Sequence, residues 1–397
     1  MKLTVFTDLR CSAAVPGMVC ALDSTRRYAF WTRYLAVFDE VTVVARLTAL
    51  STDGPALTGP GVSFVGAPDY NGAAQYLGRL PALRHVIAGA CAERTAFISH
   101  VPGRVGTQAA RHLRRIGKTY GVEVVGDPRA VFARGAVRHP LRPILRYVLP
   151  KDLQDVVRHA AAASYVTTAA LQHAYPCDGL QIGVSDVALG PDALASEWKR
   201  ARNDHGTFRM VTVGSLAQLY KGPDVLLDAL ADCVARGLDV GVVFVGDGRF
   251  RSRLEAQAAA LGVSHRVLFR GRLSPGAAVR AELDAADLFV LPSRADGLPR
   301  ALIEAMARGL PCLASRVGGI PELLAAEDLV TPGDSSDLAD QIEAVIRQPE
   351  RREEMAQRCL ARARDFDEPL LVERRREFYR AVLERAGSDV HTVPAGS

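Results

Sequence analysis

Two carboxylates, Asp296 and Glu304, stand eight residues apart in the stretch Asp287-Leu-Phe-Val-Leu-Pro-Ser-Arg-Ala-Asp296-Gly297-Leu298-Pro299-Arg-Ala-Leu-Ile-Glu304. The apolar run ending at Pro292-Ser293 reads as a buried strand, a Gly-containing loop follows, and a helix begins near Pro299. Asp296 then lies in the loop and Glu304 about two turns into the helix. Open amides at Gly297, Leu298 and the first helical turn would make that end receptive to an anion. The arrangement offers one carboxylate to polar groups near the loop, a second to a hydroxyl-bearing partner, and backbone N–H groups to phosphate. The plainer reading makes Asp296 a helix cap and Glu304 a solvated or core-paired acid. Spacing alone favours the plainer reading.

The elements around that loop alternate β-branched runs with helical patterns, the signature of βαβ units on a parallel sheet. Strands are predicted at Phe208–Val213, Val240–Val245, Arg266–Phe269, Asp287–Leu291 and Pro311–Ser315. Helices are predicted at Pro223–Arg236, Phe250–Leu261 and Arg300–Arg308. Another opens on Ser274-Pro275 as N-cap and first-turn proline, and one more is marked by Leu338, Ile342, Val345 and Ile346. Together they make an open doubly wound domain. The front half repeats the theme, with strands expected at Leu3–Phe6, Val41–Val44, Val62–Val65, Ala96–His100, Val122–Val125 and Ser164–Thr167. A polar linker is expected over Gly183–Gly206, and a last amphipathic helix over Asp367–Ala386. Two such domains would enclose a cleft, with ligands beyond the carboxyl ends of the strands.

At 397 residues, 48% hydrophobic and 23% charged, the chain suits two or three folded domains and not a disordered one. No apolar run reaches the roughly 18–20 residues of a membrane span. Asp8 and Arg10 interrupt the N-terminus before a signal-peptide core could form, so a cytoplasmic protein is expected. Seven scattered cysteines, never spaced CxxC, read as buried or free thiols and not as a zinc site. The net charge of +5 is uneven: residues 1–185 hold 21 Lys/Arg against 12 Asp/Glu, and the remainder 28 against 32. Either the front half faces something anionic or the composition drifts. Arg129–Arg158, with seven basic and two acidic residues, reads as a helix with a core stripe or as an element peripheral to an anionic inner membrane face. No nucleic-acid partner is expected, because no aromatic interleaving or helix-turn-helix signal accompanies the charge. Gly246-Asp-Gly248 lacks the third glycine of a dinucleotide fingerprint.

The Asp296–Glu304 stretch, with Ser315-Arg-Val-Gly318-Gly319-Ile-Pro321-Glu322-Leu323-Leu324 behind it, resembles the donor-binding half of the retaining GT-B glycosyltransferases of glycosyl transferase group 1, or family 4. That family carries an acidic-x7-Glu motif of the form EGLPxxxxEAMA, then a VGGxPELL segment. Val213-Gly214-Ser215-Leu216 and Lys221-Gly222-Pro-Asp-Val-Leu-Leu-Asp-Ala-Leu are similar to its first strand end and helix, and Phe244–Gly248 and Val267–Arg272 to its next strand ends. The likeness covers about residues 208–330.

By this resemblance, Lys221 contacts the donor diphosphate, Glu304 the ribose hydroxyls and Asp296 the sugar hydroxyls. Gly297, Leu298 and Pro299 shape the loop at sugar and phosphate, and Arg270 and Gly271 lie toward the base. Three departures accompany the match. Asp296 replaces the usual glutamate, Ser215 stands where many members have an arginine that Arg272 could replace, and the fifth front strand ends in Gly126-Asp127-Pro128 instead of a histidine. Asp127 and His100, both at expected strand ends, are the acceptor-side catalytic candidates, with His139 weaker. Asp365-Phe-Asp367 spells a metal-binding triplet of the other glycosyltransferase fold but reads as a helix start. No metal or other cofactor is expected.

The resemblance implies an α/β GT-B fold: two Rossmann-like doubly wound domains, residues 1–190 for acceptor and 191–366 for nucleotide sugar. A helix over 367–386 crosses back to the first domain, and 387–397 form a flexible tail. It implies a retaining hexosyltransferase using a nucleoside diphosphate sugar, UDP-sugar foremost, and the basic front half favours a lipid-linked or anionic glycan of the envelope or an exopolysaccharide as acceptor. The alternatives are a soluble natural-product acceptor such as an aminocyclitol, a non-catalytic sugar-nucleotide-binding subunit, and an epimerase of the same fold.

Overall fold

A computed structural model describes residues 1–391 apart from 16–17, 24–25, 50–53, 55, 132–141, 191 and 199–205. The chain divides into two units. One comprises residues 1–126, 147–184 and those from Val372 onward; the other comprises 127–146 and 185–371.

The first unit is built on strands β1 (Lys2–Val15), β2 (Met18–Ala21), β3 (Glu40–Thr48), β4 (Val62–Pro68), β5 (Ala96–Val101), β6 (Gly121–Val124), β7 (Ala162–Tyr165) and β8 (Leu180–Gly183). They run β4-β3-β1-β5-β6-β7-β8, parallel throughout, with β2 antiparallel on β1. Alternate side chains of β1 serve opposite faces. Phe6 packs with Leu113 and Val157 on one, whereas Leu3 and Val5 pack with Trp31, Phe378, Tyr379 and Val382 on the other. The last three belong to the helix Glu368–His391, which extends beyond the predicted Ala386. β1 is also far longer than Leu3–Phe6. After an irregularity between Phe6 and Arg10 it rejoins β3, and its far end pairs with β2.

The second unit is a fully parallel sheet of β9 (Phe208–Val213), β10 (Val240–Val245), β11 (Val267–Gly271), β12 (Leu288–Leu291), β13 (Cys312–Ser315) and β14 (Leu329–Val330), in the order β11-β10-β9-β12-β13-β14. Buried apolar side chains on both faces explain its near-continuous Val, Leu and Phe runs. Successive strands step outward from β9 to β11, then β12 returns to the other side of β9. That reversal separates the crossover connections of β9 and β12, the switch point beyond whose strand ends such sheets bind ligands.

The helix Ala277–Asp284 starts after Gly276, not at Ser274-Pro275, and the helix Pro349–Ala363 was not predicted. No helix among the described residues is long and apolar enough to cross a membrane.

Candidate active site

The loop after β9 and the loop after β12 meet at this reversal. Gly222 ends the first loop with φ +70°, directly before Pro223 opens the helix Pro223–Ala235. A Cβ at Gly222 would collide with the Pro292 carbonyl oxygen, so only glycine allows the backbones to touch. Lys221 lays its stem over Gly214, where a Cβ would lie 3.1 Å from the lysine Cδ. Its Nζ donates to Asp296 Oδ2 at 2.9 Å. Ser293 Oγ donates to the same oxygen at 3.2 Å, and the Gly297 amide donates to Oδ1 at 3.1 Å. Gly318, at φ +54°, packs against the Asp296 carbonyl, and the Gly319 amide donates to the Gly297 carbonyl at 2.8 Å.

Arg294 joins the two loops more extensively. Its Nη1 and Nη2 donate to Asp224 Oδ1 and Oδ2 at 2.7 and 2.9 Å, and Nη1 also reaches the Leu219 carbonyl at 2.9 Å. Its backbone N–H donates to the Tyr220 carbonyl at 2.6 Å. Neither Arg294 nor Asp224 was singled out from the sequence. The pair is separated by 70 positions and carries no local periodicity; only its place inside the two matched stretches could have flagged it.

Lys221, Asp296 and Gly297 therefore converge. The Gly297 amide is occupied by Asp296 itself, a correction to the expectation that it stands open. Leu298 packs on the core, and Pro299 caps the helix Arg300–Ala307, its carbonyl accepting from Leu302 at 3.1 Å. Glu304, half-buried on that helix, accepts no hydrogen bond among the described residues. Burial pushes its carboxyl above the ordinary range, opposed by Arg300 and Arg280. Ser215 Oγ accepts from the Ala217 amide at 3.2 Å and so shapes its own turn. Arg270 is held by Glu282, Nε to Oε1 at 2.9 Å, while the Gly271 carbonyl accepts from Gly246 N–H at 2.8 Å. Arg272 is exposed and makes no ion pair among the described residues. An ammonium balanced by one carboxylate can exchange partners with phosphate oxygens and sugar hydroxyls, whereas Glu304, on the following helix, makes no contact with that pair among the described residues.

In the first unit His100 is 4% exposed and engaged at both nitrogens: Nε2 to Tyr34 Oη at 2.9 Å and Nδ1 to Thr7 Oγ1 at 3.2 Å, its ring stacked on Trp31. Burial lowers its pKa against the pull of Glu123, whose carboxylate lies 3.2 Å from Nε2. Burial would push Glu123 up, but Arg33 at 2.7 Å, His100 and Tyr34 hold it well below the ordinary range. Asp127 Oδ1 accepts from Arg129 N–H at 2.8 Å, a turn-forming arrangement common where Asp precedes Pro. His139 lies outside the described residues. A carboxylate that the sequence reading missed, Asp8, accepts from Val105 N–H at 3.0 Å and from Tyr70 Oη, and burial raises its pKa. Asp367 Oδ1 accepts from Glu368 N–H at 3.1 Å at the start of the last helix.

Residues 196–362 match the family described as Glycosyl transferases group 1. Protein CapJ of Staphylococcus aureus is 27% identical over 332 residues, 82% of each chain. A GDP-mannose-dependent alpha-(1-6)-phosphatidylinositol monomannoside mannosyltransferase of Mycolicibacterium smegmatis is 31% identical over 188 residues, 46% of this chain and 47% of that one. Among solved structures, the Anabaena protein HepE in complex with UDP shares the fold over 95% of this chain and 99% of its own, with a TM-score of 0.63 at 19% identity.

Proposed function

We propose that the chain is a group 1 glycosyltransferase that moves a hexose-type sugar from a nucleoside diphosphate sugar, UDP-sugar first, to an acceptor hydroxyl on a lipid-linked envelope glycan. The observation that carries the donor part is the Lys221–Asp296 contact at the carboxyl ends of β9 and β12. In this reading Lys221 leaves Asp296 for the diphosphate, and Asp296 turns to the sugar hydroxyls. Positive charge fixed where the leaving diphosphate gains negative charge lowers the barrier, and does so most where water is excluded. Glu304 takes the ribose hydroxyls, which gives its buried carboxylate hydrogen bonds. Attack by the acceptor on the same face of the sugar as the departing diphosphate would retain the anomeric configuration. The UDP complex of HepE favours uridine, and the GDP-mannose-dependent relative makes guanosine the competing base.

The lipid-linked acceptor is supported by the helix Arg142–Arg158. Ile144, Tyr147 and Val148 share one turn-to-turn face and are 60, 64 and 43% exposed, beside exposed Arg146 and Lys151. Apolar side chains flanked by cations suit the surface of an anionic bilayer. A thermal-shift panel of UDP- and GDP-hexoses tests the donor reading, because a ligand bound only by the folded chain raises Tm. One nucleotide sugar should raise it by several degrees and support transfer to a lipid acceptor. The reading fails if no nucleotide sugar does so.

A further inference from the structure

We infer that Arg294 is a positioning residue for donor binding, setting the reach of Lys221 through its grip on the turn that carries it. The inference rests on the donor-site reading above, in which Lys221 receives the diphosphate. All four of the Arg294 bonds described above go to residues 219–224, and they straddle Lys221: Leu219 and Tyr220 precede it and Asp224 follows.

The lysine has a long flexible stem and a single point charge, so the position of its Nζ depends on where its turn is anchored. Two kinds of polar link join the loops. Lys221–Asp296 is the one the donor exchanges. The Arg294 links use no group that the donor needs, so they stay in place while that exchange occurs. Arg294 thus ties the turn to the strand end from which Asp296 projects, two residues further on. A planar guanidinium can meet both oxygens of Asp224 and the Leu219 carbonyl together. An ammonium in its place cannot span them.

The test is a double-mutant cycle on binding of UDP, with GDP run alongside and the tighter one used, measured by calorimetry on the full chain. Arg294→Lys should weaken the nucleotide by about tenfold in the native background, the value of one lost charge-assisted bidentate contact. In a Lys221→Ala background it should change binding by less than about twofold, because the residue through which it acts is gone. Asp224→Asn, which keeps the side-chain shape, should give the same pattern and decides the matter if Arg294→Lys does not fold. Steady-state kinetics should show kcat falling along with the rise in donor KM. Equal weakening in both backgrounds overturns the positioning role and leaves the donor reading intact. No weakening in Lys221→Ala alone, or no binding of either nucleotide, overturns both.

Discussion

Lys221 Nζ and Asp296 Oδ2 stand 2.9 Å apart, so the ammonium that would hold a diphosphate is already engaged by a carboxylate. On the proposed reading, a free nucleoside diphosphate competes with that carboxylate, whereas a sugar-bearing donor gives it hydroxyls in exchange. Asp296→Asn should therefore bind UDP at least as tightly as the native enzyme while losing transfer. Lys221→Ala should lower kcat/KM by about 10²–10³-fold, the usual effect of removing one donor from a developing anion. Calorimetry with UDP and initial rates with the sugar nucleotide separate the two.

On the proposed reading, Glu304 places function and stability in opposition. Its raised pKa means that the folded chain prefers the protonated carboxyl, so stability is lost as pH rises through that pKa. Glu304→Gln should raise Tm at pH 7 and raise donor KM. The gain in Tm should shrink toward zero at acid pH, where the native carboxyl is also neutral. Melting curves across pH, paired with donor KM, check both halves.

Backbone contact at Gly222 predicts a purely steric defect. Gly222→Ala combines a positive φ with a collision at the Pro292 carbonyl. It should cost about 1–3 kcal/mol of stability and most of the activity. A thermal melt without ligand reads the first and a transfer assay the second.

The buried network around His100 should make the first unit acid-sensitive. His100 is held neutral by burial while the unfolded chain binds a proton near its ordinary pKa, so stability falls as pH drops below about 6.5. His100→Gln should flatten the decline in Tm between pH 7 and 5. Glu123→Ala should cost about 3–5 kcal/mol at pH 7, because it leaves Arg33 without its buried partner.

Membrane attachment through the helix Arg142–Arg158 predicts that Ile144→Asp and Tyr147→Asp abolish sedimentation with anionic vesicles while leaving Tm unchanged, since neither side chain is in a core. Neutral vesicles should bind the native protein less well. Failure of the native chain to sediment with anionic vesicles would instead favour a soluble acceptor.

Sequence reading was sharpest where structure is local. Phe208–Val213 and Val240–Val245 match the observed strands residue for residue, because each is rich in apolar and β-branched residues and bounded by polar or glycine residues. It stopped short in β1, where Asp8 and Arg10 look like a strand end. Those charges are held by distant partners, Tyr70 Oη and Val105 N–H for Asp8 and the Asp69 carboxylate at 2.6 Å for Arg10, which no local pattern announces. The helix Pro349–Ala363 was missed because its core stripe includes Cys359 and a buried Arg352 among charged neighbours. In the candidate site, residue identity singles out Lys221, Asp296 and Glu304, of which the structure joins Lys221 to Asp296. It does not single out Arg294 and Asp224, because their relation arises only when β12 returns beside β9.

Phe378, Tyr379 and Val382 complete a face of the first sheet whose other members include Leu3, Val5 and Val41. During synthesis that face stays bare while more than three hundred further residues are made, and the second unit can fold in the meantime. Assembly of the first unit must therefore finish after the second, from residues born at opposite ends of translation. A chain lacking the residues from Val372 onward should have a second unit that resists protease while its first unit is cut.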